Sequence, residues 1–173
     1  MDSNHGKDLP ESSMQKLPGR QPGEQSLPSG LTRSSIILGL KSKNLDGAVG
    51  ELVTHALHGA GPIISKSQAI TKLIQKRIKS SKLDPQSGVI FISSRIPQLP
   101  SARVALGIAP GGLQYPAPNR EPIYTVFLSL LPKDYAGTET PVWARRCLGD
   151  KKKSYQIKTA PDMDAVLSIF KED

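Results

Sequence analysis

The stretch Phe91–Gly107 reads F-I-S-S-R-I-P-Q-L-P-S-A-R-V-A-L-G. Two β-branched or aliphatic runs of strand length, Gly88–Ile92 and Arg103–Ile108, overlap it, and Pro97 and Pro100 break the chain between them. Ser93 falls at the end of the first run, and Arg95 lies in the piece that follows. A third run, Ile123–Leu131, has the same character. The intervening segment Ala109–Pro122 (A-P-G-G-L-Q-Y-P-A-P-N-R-E-P) reads as a long connecting loop. Its motif Gly107-x-x-x-Gly111-Gly112 is no phosphate-binding loop, because no helix bearing Lys-Ser/Thr follows; it reads as a turn.

Upstream, Ser35–Leu40 (S-I-I-L-G-L) is a short strand candidate. Leu45, Val49, Leu52, Val53, Ala56 and Leu57 then recur at helical spacing, with Asn44 placed to cap that helix. Ser65-x-x-Gln68 has the form of a capping box for a second helix, whose apolar stripe is Ile70, Leu73, Ile74 and Ile78. Lys72, Lys76 and Lys79 occupy its other face. Downstream, Pro141–Leu148 is expected to be helical, with proline suited to the first turn. Thr159-x-x-Asp162 opens a last helix with Met163, Val166, Leu167 and Phe170 as its stripe. The predicted order is β-α-α-β-β-β-α-(β)-α, an α/β class in which helices cover a mixed sheet.

With 173 residues the chain suggests one domain with a sizeable core. Met1–Gly30 is rich in Pro, Gly, Ser and Gln and poor in aliphatic residues, so it reads as a disordered tail, with the folded domain over 32–172. The tail's charges nearly balance, which places the basic excess of a +8 chain in the folded part. That excess favours acidic partners, a nucleic acid or an acidic protein face. No apolar run approaches the ~20 residues of a membrane span, and no signal or transit peptide is expected; the expected compartment is the cytoplasm. A lone Cys147 excludes an intrachain disulfide and a cysteine-based zinc cluster.

The same stretch resembles the phosphohistidine segment of the fructose/mannitol-type (nitrogen-regulatory-type) enzyme IIA domains of the bacterial sugar phosphotransferase system. That pattern runs approximately I-P-H-G/A-R-x-P, about seven variable residues, then V-A-L/I-G. Arg95, Pro97 and Val104–Gly107 fall on their places, while the phosphoacceptor position carries Ser93. Further landmarks follow in order over roughly Thr32–Glu172: Ile37–Leu57 as first strand and helix, Pro122–Pro132 as the "P-V-x-L-V-F-L-L-x-A-P" strand, Ala144 and Arg145 in the penultimate helix, and Ala160–Phe170 as the closing helix. The resemblance implies the enzyme IIA fold and a face that docks other proteins.

It implies lost catalysis as well. The family's nucleophile is a neutral imidazole, whose lone pair is available near neutral pH; a serine hydroxyl needs an adjacent base, and its phosphate ester would not relay a phosphoryl group readily. The family's second histidine aligns near Glu139, a carboxylate that would repel an incoming phosphoryl group. The family's "S-T-G-I-G-N-G" loop becomes K-L-D-P-Q-S-G at Lys82–Gly88. Arg95 is left as the candidate contact for an anion or for a partner; an exposed loop arginine without a partner is the plain alternative.

A regulatory protein-binding domain is therefore the first functional reading, with no cofactor and no metal. The second is a working sugar or nitrogen-branch component whose acceptor lies elsewhere, for which His55 and His58 are the candidates within the domain. Those two sit at i, i+3 without a third ligand type nearby and otherwise read as a surface or core-edge pair. The third is a nucleic-acid binder using Lys72, Lys76, Arg77, Lys79, Lys82 and Lys151, Lys152 and Lys153 on one face. Against it stand the low aromatic content and the absence of aromatic residues interleaved with these clusters, which otherwise read as solvated faces. Cys147 reads as a small buried hydrophobe, although Arg145 and Arg146 beside it would activate an exposed thiol.

Overall fold

The computed structural model describes residues 30–81, 83, 85–115 and 122–171. The expected disordered tail, apart from Gly30, and Lys82 of the basic clusters lie outside them. Four strands, β1 (Ile36–Ile37), β2 (Val89–Ile96), β3 (Arg103–Leu113) and β4 (Ile123–Pro132), form one sheet in the order β1-β3-β4-β2. β1 runs parallel to β3, β3 antiparallel to β4, and β4 parallel to β2, so the sheet is mixed, as the residue pattern predicts.

Strand alternation sends successive side chains to opposite faces, and each face buries its own set of helices. Ile90, Ile92 and Ile96 of β2 and Val126, Leu128 and Leu130 of β4 pack with α1 (Leu45–Leu57) and α2 (Ser67–Ser80). Val89, Leu106, Ile108 and Phe127 pack with α3 (Val142–Gly149), α4 (Lys151–Lys158) and α5 (Met163–Lys171). In this second layer the Trp143 ring meets Phe127 and Phe170 edge-on at centroid distances of 5.6 and 5.8 Å, a preferred aromatic geometry.

The local signals act where chemistry demands. Asn44 caps α1, its side-chain oxygen accepting from the Gly47 amide at 2.8 Å. Gly107 lets α1 approach the sheet closely: a Cβ there would stand 2.9 Å from Leu40 Cδ1 and 3.0 Å from Leu52 Cδ2. Beyond the far end of α1, Arg103 Nη1 donates to the carbonyl of His58 at 2.9 Å.

Several expectations are corrected. β1 spans two residues, not the six of Ser35–Leu40. Ser65 does not cap α2; the chain enters that helix through a 3-10 turn over Gly61–Lys66, where Ser65 Oγ donates to the Pro62 carbonyl at 2.8 Å. Leu73 is not part of the buried stripe, being 39% exposed, and the stripe narrows to Ile70, Ile74 and Ile78. The segment Ala109–Leu113 is strand, not loop or turn; β3 continues through the glycines with a register irregularity between Ile108 and Leu113, and Gly112 takes φ 82°. A helix, α4, stands where a short strand was expected before the last helix, capped by Asp150, whose carboxylate accepts from the Lys153 amide at 2.8 Å. At α5 the cap is Asp162, accepting from the Ala165 amide at 2.8 Å, whereas Thr159 Oγ1 turns back to the Tyr155 carbonyl.

Candidate functional site

The parallel strands β2 and β4 end side by side, with Ile96 opposite Pro132, and the chain then crosses from Pro132 to α3 through residues 133–141. Carboxyl ends of parallel strands are the usual place for a site in an open α/β sheet. β2 runs four residues further than the aliphatic pattern suggests, so Ser93 and Arg95 are strand residues and not loop residues. Alternation puts Phe91, Ser93 and Arg95 on the α3 side and Ser94 on the α2 side.

Ser93 is half-buried, and its Oγ donates to Glu139 Oε2 at 3.2 Å. Two side chains 46 residues apart in the chain are thus brought into contact. Arg95 is exposed but not unpartnered. Its Nη1 faces three carbonyl oxygens, those of Tyr135 at 2.9 Å, Lys133 at 3.1 Å and Pro132 at 3.5 Å. One side of the guanidinium therefore anchors the crossing loop, and the fork's other donors remain for a second acceptor. Further back on the same face, the Arg145 guanidinium lies 5.0 Å from the Phe91 ring centroid, a cation–π contact.

Ser129 stands in register with Ser93 on β4, fully buried, and its Oγ has no hydrogen-bond partner among the described residues. Reading the sequence missed it, although a serine within Y-T-V-F-L-S-L-L is a visible break in an otherwise aliphatic strand. Ser94, 3% exposed on the opposite side, accepts from Arg77 Nη1 at 2.9 Å, which ties α2 to β2.

Glu139 can take a proton from Ser93 only across a large mismatch in basicity, and a phosphoryl group formed there would face the same carboxylate. Like charges 4 Å apart cost about 1 kcal/mol in water and about 4 kcal/mol at the effective dielectric of a protein surface. His55 and His58 are exposed at the end of α1, the helix layer on the other side of the sheet from Ser93. Cys147 is fully buried in the α3–α5 layer. No group of three or more His, Cys, Asp or Glu able to hold a metal occurs among the described residues.

The basic residues do not form one face. Lys72, Lys76 and Lys79 are exposed on α2, where Lys79 Nζ lies 3.7 Å from Asp46 Oδ2, while Lys151 and Lys152 are exposed and Lys153 half-buried on α4, across the sheet. Among the described residues no helix is long and apolar enough to cross a membrane.

The architecture has clear counterparts among solved structures. The nitrogen regulatory protein IIA-Ntr of Neisseria meningitidis superposes with a TM-score of 0.68 at 17% identity, covering 82% of this chain and 96% of that one. The Escherichia coli complex of enzyme IIA mannitol with phosphorylated enzyme IIB mannitol contains a match with a TM-score of 0.66 at 14% identity, covering 83% and 98%. The crystal structure of IIA mannitol from the same organism gives 0.64 at 14%, covering 81% and 98%. No protein-family model matches the sequence, and no curated protein matches it. The chain has the mannitol/nitrogen-regulatory enzyme IIA fold.

Proposed function

We propose that this chain is an enzyme IIA-like domain that has lost its phosphohistidine and serves as a regulatory protein-binding domain. Its docking face is the surface around the carboxyl ends of β2 and β4. The observation that carries this reading is the Ser93–Glu139 contact: a hydroxyl and a carboxylate occupy the two positions where the resemblance calls for histidines. Arg95 keeps a positive group with fixed donors on that surface, beside a pair that cannot relay a phosphoryl group, and such a group suits a carboxylate-bearing protein. One protein of similar fold is seen in complex with a protein partner, enzyme IIB mannitol, which supports docking as the retained property. The alternative of a working sugar or nitrogen-branch component is less well supported, since His55 and His58 lie across the sheet from the strand-end site.

Affinity capture with the wild-type chain, Arg95→Ala and Arg95→Lys tests this reading, with thermal melts confirming that each variant is folded. The expected result is a partner held by the wild type, weakened by about 1–3 kcal/mol in Arg95→Ala. Lysine restores the charge but not the fork, so recovery should be partial. Unchanged affinity in a folded Arg95→Ala would move the interface elsewhere, with the α2 face next to be examined.

A further inference from the structure

The opposite ends of the same strands carry a second, differently built site. Ser87 and Gly88, just before β2, both take positive φ (54° and 76°), and Tyr124 at the start of β4 lies against this turn. A Cβ on Gly88 would stand 2.8 Å from Tyr124 Cδ2, so glycine is what allows the ring to seat there. Above that ring, Lys158 Nζ stands 3.8 Å from its centroid and 5.5 Å from that of Tyr155. A cavity of about 290 Å³ opens here, lined by Ser87, Tyr124, Lys151, Ser154, Tyr155 and Lys158.

The lining has two lysines, two tyrosines, two serines and no carboxylate. Lys151, Tyr155 and Lys158 stand at i, i+4 and i+7 of α4 and share one face of the helix. Tyr155 is 63% exposed, so its ring face is open to a stacking partner. The sequence alone counted against an aromatic among these lysines; the fold supplies two, one from α4 and one from β4.

We propose that this face binds single-stranded nucleic acid, with one base stacked on Tyr155 and the neighbouring phosphates paired to Lys158 and Lys151. An exposed ring beside cations, open to solvent along a helix, is the combination that tracks an unpaired strand: the ring takes any base, and the lysines follow the backbone. A duplex offers no free base face to Tyr155. The chain's net charge of +8 supplies the long-range attraction for a polyanion. Ser87 and Ser93 are six residues apart, so the site lies roughly 20 Å from the docking face and stands or falls independently of it.

The test is fluorescence anisotropy on the full chain at about 50 mM salt, with a short labelled oligonucleotide as single strand and as duplex. The expected result is tighter binding of the single strand, weakened at least about ten-fold by Tyr155→Ala, the scale of one lost base stack. Tyr155→Phe should stay near wild type, Lys158→Gln should weaken binding and flatten its salt dependence, and the α2 pair Lys72→Gln with Lys76→Gln should change little. The proposal is overturned by no binding at this salt, by equal affinity for duplex with Tyr155→Ala neutral, or by the α2 pair being as damaging as Tyr155→Ala. A mononucleotide binding as tightly as the oligonucleotide would also overturn the strand assignment.

Discussion

Ser93 and Glu139 are neighbours because β2 extends past its aliphatic run and the crossing loop folds back over it. Replacing Ser93 by histidine would therefore place an imidazole beside a carboxylate, not in a phosphate cradle. Ser93→His alone is expected to remain unphosphorylated by phosphoenolpyruvate, enzyme I and phosphocarrier protein, as intact mass would show; a stoichiometric gain of one phosphoryl group would mean that the pocket survives. Ser129 gives a second prediction at this scale. A buried hydroxyl without a partner costs about 1–3 kcal/mol, so Ser129→Ala should leave stability unchanged or raise it by about 1 kcal/mol. For a chain of this length that is a rise in Tm of about 2–4 °C. A clear fall in Tm would reveal that the hydroxyl is engaged.

At the scale of elements, the entry to α1 depends on one carboxylate. Glu51 Oε1 accepts from the Ser42 amide and hydroxyl, both at 2.7 Å, and Oε2 accepts from the Lys41 amide at 3.1 Å, which clamps the β1–α1 connection onto the helix. Burial alone would raise the Glu51 pKa, but the Ser42 hydroxyl, the two amides and the Lys41 charge together outweigh it and hold the carboxyl below the ordinary glutamate value. A depressed folded pKa means that the stabilisation is present above the unfolded value and is lost as pH falls through the folded one. Glu51→Gln should thus lower the urea midpoint at neutral pH, with the gap to wild type closing in acid below the carboxylate range. A gap that persists unchanged in acid would show that the charge plays no part.

Elements were legible in the sequence where one signal dominated. Asn44 before an apolar 3.6-residue pattern marks α1, and the run Ile123–Leu131 marks β4 within a residue at each end. They were not legible where tertiary pairing overrode composition. Ser93-Ser94-Arg95 and Ala109-Pro110-Gly111-Gly112 look like loops, yet pairing of the whole of β2 with β4, and of β3 with β4 on either side of an irregularity, makes them strand. Three consecutive lysines hid α4, whose evidence is a single Asp150 cap and the buried pair Ser154 and Ile157. The meeting of Ser93 and Glu139 was not legible, because no spacing rule places residues 46 apart in contact. The carbonyl contacts of Arg95 had no sequence signal, because backbone acceptors on a crossing loop are invisible to residue type.

For the whole molecule, the sheet separates the possible activities. The strand-end face carries Ser93, Glu139 and Arg95, the α1–α2 layer carries both described histidines, and the lysine–tyrosine cavity sits at the far end of the same strands. The central claim is that the docking face has outlived phosphoryl transfer. It is tested most directly by incubating the wild-type chain with labelled phosphoenolpyruvate, enzyme I and phosphocarrier protein, with a competent enzyme IIA in the same mixture as control. The control is expected to take up acid-labile phosphate and this chain to take up none. Stoichiometric acid-labile label on this chain, at any residue, would contradict it.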